Sequence, residues 1–180
     1  VDLASTSVVA GKKIKEDGRN IEDITILRRG FGGDASTGDR ILPVDGLWAD
    51  DSFLKVFTFP MLYGDPVTAL REPYSIVLTE EMAKKLFGTS EVLGRSLKFD
   101  TTHYFVTGVL KDLPKLSHLR FGTLVSFSTL ELAPPDTYGD FLNWGSVYMN
   151  HVYAVLPDNT GPENLQSTLD KLCAQQNAIP

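Results

Sequence analysis

The stretch "LTEEMAKKLFGTSEVLGRSLKF", residues 78–99, decides the fold. It holds two adjacent acids, Glu80 and Glu81, two adjacent lysines, Lys84 and Lys85, and two glycines, Gly88 and Gly94. Such a cluster invites a catalytic or phosphate-binding reading. The order of the residue types gives each charge a structural role instead. "YSIVL" (74–78) is a short apolar run that predicts a buried strand. Thr79 is a good helix N-cap, and Glu80 and Glu81 fall in the first turn, where the helix dipole favours acids. Met82, Ala83, Leu86 and Phe87 make one apolar stripe, with Lys84 and Lys85 on the outer face. Glu81 and Lys85 form an i, i+4 pair of the favoured polarity, and Gly88 suits the left-handed position that ends a helix.

Reading toward the C-terminus, "GRSLKFDTTHYFVTGVLKD" predicts two alternating strands about a turn at Asp100–Thr102, with Leu97 and Phe99 pairing with Tyr104 and Val106. A turn and an apolar strand over 121–127 follow. Residues 134–145 form a loop rich in Pro and aromatics, and "SVYMNHVYAVLP" predicts a strand over 146–157. The last segment reads as an amphipathic helix with a Thr160–Glu163 capping box and a buried stripe of Leu165, Leu169, Leu172 and Cys173. Cys173 is then a small core residue rather than a nucleophile.

Toward the N-terminus, Phe53, Phe57 and Phe59 with Leu54, Val56, Met61 and Leu62 predict a short helix turning at Pro60. Their aromatics read as core. "NIEDITILRRG" predicts a strand, and "GFGGDASTGD" a flexible loop or hairpin turn. Those glycines lack the following Lys-Ser/Thr and the strand-to-helix context of a phosphate loop. "ASTSVVAGKKIKEDG" predicts a helix, with Ser5–Ser7 as candidate caps and Gly18 as its stop. Helices and strands mix without strict alternation, so the fold class is α+β.

Composition narrows the function. The 180 residues suit one domain of ordinary size or two small subdomains sharing a core, and the net charge is −6. That argues against nucleic acid, which needs a basic face, and mildly against an anionic membrane surface. Cys173 is the only cysteine, so there is no internal disulfide and no zinc spacing. No apolar run approaches the roughly 18–20 residues that span a bilayer, and "VDLASTSVVAGKK" is too polar for a signal peptide. The chain reads as cytosolic or as a soluble segment of a membrane protein.

No catalytic constellation emerges. His103 belongs to a hairpin turn and should be exposed, and His151 is mid-strand and should be half-buried. Ser117 and His118 are sequence neighbours, so as strand residues they face opposite ways, a poor nucleophile–base pair. Asp50-Asp51 and Glu80-Glu81 are sequence-adjacent carboxylates, whereas glycosidase pairs face each other from separate elements. Asp50 or Asp51 reads instead as the cap of the helix beginning at Ser52 or Phe53. Asp100, Asp112 and Asp136 fall in turns, and nothing has calcium-loop spacing.

Taken in order, "DDSFLKVFTFPMLYGDPVTAL", "YSIVLTEEMAKKLFG", "VLGRSLKF", "YFVTGVLKDLPKLSHLRF" and "NWGSVYMNHVYAVLP" resemble the extracytoplasmic core domain of MacB-like, FtsX-family ABC transporter permeases, in the variety common in Bacteroidetes-type bacteria. The resemblance spans about residues 45–160. Two stretches depart from the family pattern: Val92-Leu93 with Arg95 in "EVLGRSL", and Leu116 for the usual Asn before Ser117-His118.

The resemblance implies a two-part domain: a porter-like part from residues 1–45 and 118–180, and an inserted sabre-like part from 46–117. It implies a place on the periplasmic face of the bacterial inner membrane, between the first and second transmembrane helices of a permease. It also implies a non-catalytic role with no cofactor and no metal, relaying ATP-driven conformational change to periplasmic partners or cargo. The implied partners are a second permease copy, a cytoplasmic ATPase and a periplasmic adaptor. The competing expectation is a periplasmic ligand-binding or hydrolytic domain using the aromatic loop at Tyr138, Phe141 and Trp144, or His118 with a nearby acid.

Overall fold

A computed structural model of the chain describes residues 5–17, 21–114, 117–134, 137, 139–158 and 160–177. In chain order the elements are α1 (Val8–Asp17), β1 (Asp23–Ser36), β2 (Ile41–Ala49), α2 (Phe53–Phe57), β3 (Met61–Gly64), β4 (Ser75–Thr79), α3 (Glu80–Phe87), β5 (Ser96–Phe99), β6 (Thr102–Leu110), β7 (Thr123–Ser126), α4 (Phe127–Leu132), β8 (Asn150–Val155) and α5 (Glu163–Asn177). The class is mixed α and β, as expected.

The segment 75–88 forms as its residue types dictate. All five residues of β4 are buried. The Thr79 hydroxyl accepts a hydrogen bond from the Met82 N–H at 3.3 Å, and Gly88 closes α3 at φ 77°. Ala83 and Leu86 face the core, while Lys85 reaches Glu81 at 2.6 Å on the outside. The Asp112 carboxylate adds a second cap by accepting from the Glu81 N–H at 2.8 Å.

Pairing joins the strands into a ring. β1 pairs with β2, β2 runs parallel to β7, β7 pairs with β4, β4 runs parallel to β6, β6 pairs with β5, and β5 returns to the end of β1. β8 lies antiparallel along the first half of β1, and β3 along the end of β6. Every strand of the ring contributes to one buried cluster, including Phe31, Val44, Trp48, Ile76, Leu78, Leu97, Tyr104, Val106 and Val125. Phe31 is its hub, with ring centroids 5.0 Å from Trp48, 4.9 Å from Phe99 and 5.7 Å from Tyr104, all edge-to-face. The alternate residues, Leu27, Ala49, Val77, Leu110 and Leu124, face a second cluster with Phe53, Leu54 and Phe121. Period-two alternation along each strand therefore builds two cores on opposite faces of one sheet.

Several expectations change. "GFGGDAS" is strand, not loop: β1 runs through it with a bulge between Arg29 and Phe31 at Gly30, φ 97°, and only Thr37–Arg40 turns. A bulge lets a glycine-rich segment stay in a ladder by absorbing one extra residue. In the 96–105 hairpin Leu97 opposes Tyr104, but Phe99 opposes Thr102. The turn is shorter than expected because Asp100 takes a positive φ of 50°. The strand expected over 146–157 is confined to Asn150–Val155, and the apolar run after Ser126 becomes α4. β2, which spans residues 41–49, runs across the expected 45/46 boundary between the two parts.

Candidate functional site

α1 is tied to the body of the domain by charge as well as apolar contact. Val8 and Ile14 are buried, and Gly11 permits close approach: a Cβ there would lie 2.7 Å from Val152 Cγ2. On its other side, Lys12 Nζ meets Glu131 Oε1 of α4 at 2.5 Å. Lys15 Nζ lies 3.3 Å from Ser52 Oγ, 3.6 Å from Asp50 Oδ2 and 3.7 Å from Asp51 Oδ1. Two lysines one turn apart thus hold α1 to the end of β2, the start of α2 and α4.

Asp50 is the centre of this cluster. Its backbone carbonyl accepts the Phe53 N–H at 3.2 Å, but its side chain does not cap α2, contrary to expectation; Ser52 occupies the cap position without a side-chain bond. The carboxylate turns inward because fully buried Thr25 on β1 donates its hydroxyl to Oδ1 at 2.5 Å. Burial pushes the Asp50 carboxyl up to about 6, against the lowering pull of the Thr25 hydroxyl and the Lys15 charge. Sequence reading missed this group. The available signal was Thr25 itself, a polar residue inside the aliphatic run "ITIL", since a buried hydroxyl requires a partner.

α5 packs on α1. Thr168 Oγ1 donates to Asp17 Oδ2 at 3.0 Å, and Lys13, Glu16 and Asp17 share a groove with Thr168, Lys171, Leu172 and Gln175. Asp17 ends α1 and Thr168 lies in the second turn of α5, while Lys13 shares the groove with Gln175 near the end of α5. The expected buried stripe is not the contact face. Leu165 and Leu172 are half-buried, Leu169 and Cys173 are exposed, and Thr168 is the buried residue. The helix starts at Glu163, whose carboxylate lies against Gly161, and no side-chain bond joins it to Thr160.

The candidate hydrolytic residues do not come together. The Ser117 hydroxyl accepts from the Leu119 N–H at 3.2 Å. His118 is exposed and rests against the rings of Phe57 and Tyr153, at centroid distances of 6.4 and 6.1 Å. It forms no hydrogen bond to Ser117 or to a carboxylate. Phe141 is buried against Phe127 at 5.9 Å beneath the Arg28 guanidinium, and Trp144 is half-buried. Tyr138 and Asp136 lie outside the described residues, as does Gly18. His103 is exposed and meets Ser96 Oγ at 3.1 Å, and His151 is half-buried on β8, both as expected. Among the described residues no group of three or more His, Cys, Asp or Glu is arranged to hold a metal, and no helix is long and apolar enough to cross a membrane.

Comparison with known proteins places this geometry. The sequence profile of the MacB-like periplasmic core domain family matches residues 5–172. No curated protein matches by sequence. Among solved structures, a domain of a protein described as a permease from Porphyromonas gingivalis superposes with a TM-score of 0.81 at 22% identity, over 97% of this chain and 79% of that one. The periplasmic region of MacB from Actinobacillus actinomycetemcomitans gives 0.69 at 15% identity, over 95% and 74%. The extracellular domain of the ABC-type transporter YknZ from Gram-positive bacteria gives 0.62 at 17%, over 93% and 80%. At these identities the likeness is one of fold.

Proposed function

The chain belongs to the MacB-like periplasmic core domain family, and on that premise we propose that it is the non-catalytic extracytoplasmic relay domain of an ABC transporter permease. In this reading it stands on the periplasmic face of the inner membrane, within a permease that dimerises and is driven by a cytoplasmic ATPase. It carries ATP-driven movement to a periplasmic adaptor or to cargo, in efflux or lipoprotein export.

The observation that carries the reading is the attachment of α1. One helix is bonded to α4, to the β2–α2 junction and to α5 at once. Displacement entering along α1 and α5 would reach the sheet through these ties, because packed elements shift as rigid bodies. The division into a porter-like part (1–45 and 118–180) and an inserted part (46–117) is proposed as a division of role. β1–β2 and β4–β7 hydrogen bonds join strands of the two parts.

The test uses the whole permease with its ATPase. Lys12→Gln with Lys15→Gln cuts the ties of α1 to α4 and to the β2–α2 junction while leaving its buried face and its bond to α5 intact. The relay reading expects ATP hydrolysis to continue while transport falls severalfold. Unchanged transport in the double variant would sink it. A hydrolytic role would instead show as an activity lost in His118→Ala.

A further inference from the structure

We propose that the outer face of β2, β1 and β8 carries a binding groove for an anionic amphiphile, a molecule with one negative head and an apolar body. The register assembles it. Leu47 stands opposite Arg29, and Leu27 opposite His151. Their side chains therefore share one face of three adjacent strands. The segment 118–120 forms the facing wall, and the open groove measures about 620 Å3.

Its floor is apolar, from the half-buried Leu47 and the ring of Tyr153, with the buried Leu27 and Leu119 beneath them. Its rim is cationic or able to donate: Arg29, Arg120, His118 and His151, against the single acid Asp45. In a chain of net charge −6 this concentration of basic groups runs against the average. The Arg29 side chain is exposed and makes no hydrogen bond or ion pair among the described residues. An apolar floor beside a guanidinium at the lip matches a hydrocarbon body with a carboxylate or phosphate head. Arg29 would hold the head, and Leu47 with the ring of Tyr153 would cover the body.

The test titrates the isotopically labelled chain with octanoate and follows its amide spectrum, with acetate and 1-octanol as the head alone and the body alone. Octanoate should shift amides at Arg29, Leu47, Leu119 and His151 saturably, and more tightly than either control. Arg29→Gln should weaken binding at least about tenfold, the scale of one charge-assisted hydrogen bond, and Arg29→Lys should retain most of it. Arg29 is exposed, so amides elsewhere should stay in place in both variants. The proposal is overturned if octanoate produces no saturable shift at these amides. Equal binding of 1-octanol, or full binding by Arg29→Gln, overturns it as well.

Discussion

Asp50 has an acid–base character that its neighbours in sequence do not suggest. Its carboxyl titrates near 6 when folded, against 3.8 for the ordinary group. Between those values the folded chain keeps a proton that the unfolded chain has released. The group therefore contributes stability that is fully present below about pH 4 and is lost as pH rises through about 6. The largest effect such a shift allows is ~3 kcal/mol. Urea midpoints taken at intervals from pH 4 to 7 should fall for the native chain. They should fall less for Asp50→Asn, which keeps an acceptor for Thr25. Parallel slopes for both would rule out Asp50 as the titrating group.

At the scale of elements, α3 and α5 are opposites. α3 is capped at both ends and inserts Ala83 and Leu86 into the core. α5 is nearly twice as long, yet it meets the rest of the domain through a single helix, with Thr168 bonded to Asp17 and Cys173 exposed among the described residues. Exposed helices held by few contacts open at low free energy. A thiol reagent such as DTNB should therefore react with Cys173 in the native chain as fast as in urea. Slow, unfolding-limited labelling would mean that α5 is covered. The sequence pattern for α3 was legible because capping and dipole effects act within one turn. The pattern for α5 misled because an apolar stripe states what a helix could bury and not how much partner surface it meets.

For the whole molecule, the closed ring of strands is the governing fact. Trp48 is 1% exposed inside it and reports on its integrity. Because β2 bonds both β1 and β7, no part of the ring can open without breaking long-range pairs. Urea unfolding followed by tryptophan fluorescence and by far-UV circular dichroism should give one coincident transition. Gly46→Ala should destabilise the fold by about 1–3 kcal/mol and lower both midpoints together, because its Cβ would press into the Thr123 carbonyl oxygen on β7. Two separate transitions would instead mark the porter-like and inserted parts as independent folding units.

The sequence by itself determined the strand and capped helix over 75–88, the 96–105 hairpin and the α+β class. Its ordered motifs also pointed to the family. These depend on hydrogen bonds, caps and periodicities that span a few residues. Only the tertiary structure decided that the strands close into a ring, that "GFGGDAS" remains in the ladder, that Asp50 turns to Thr25 and away from the α2 cap, and that Arg29 and His151 share one groove. Each of these joins residues distant in the chain, and the register that brings them together is set by burial on both faces of the sheet at once.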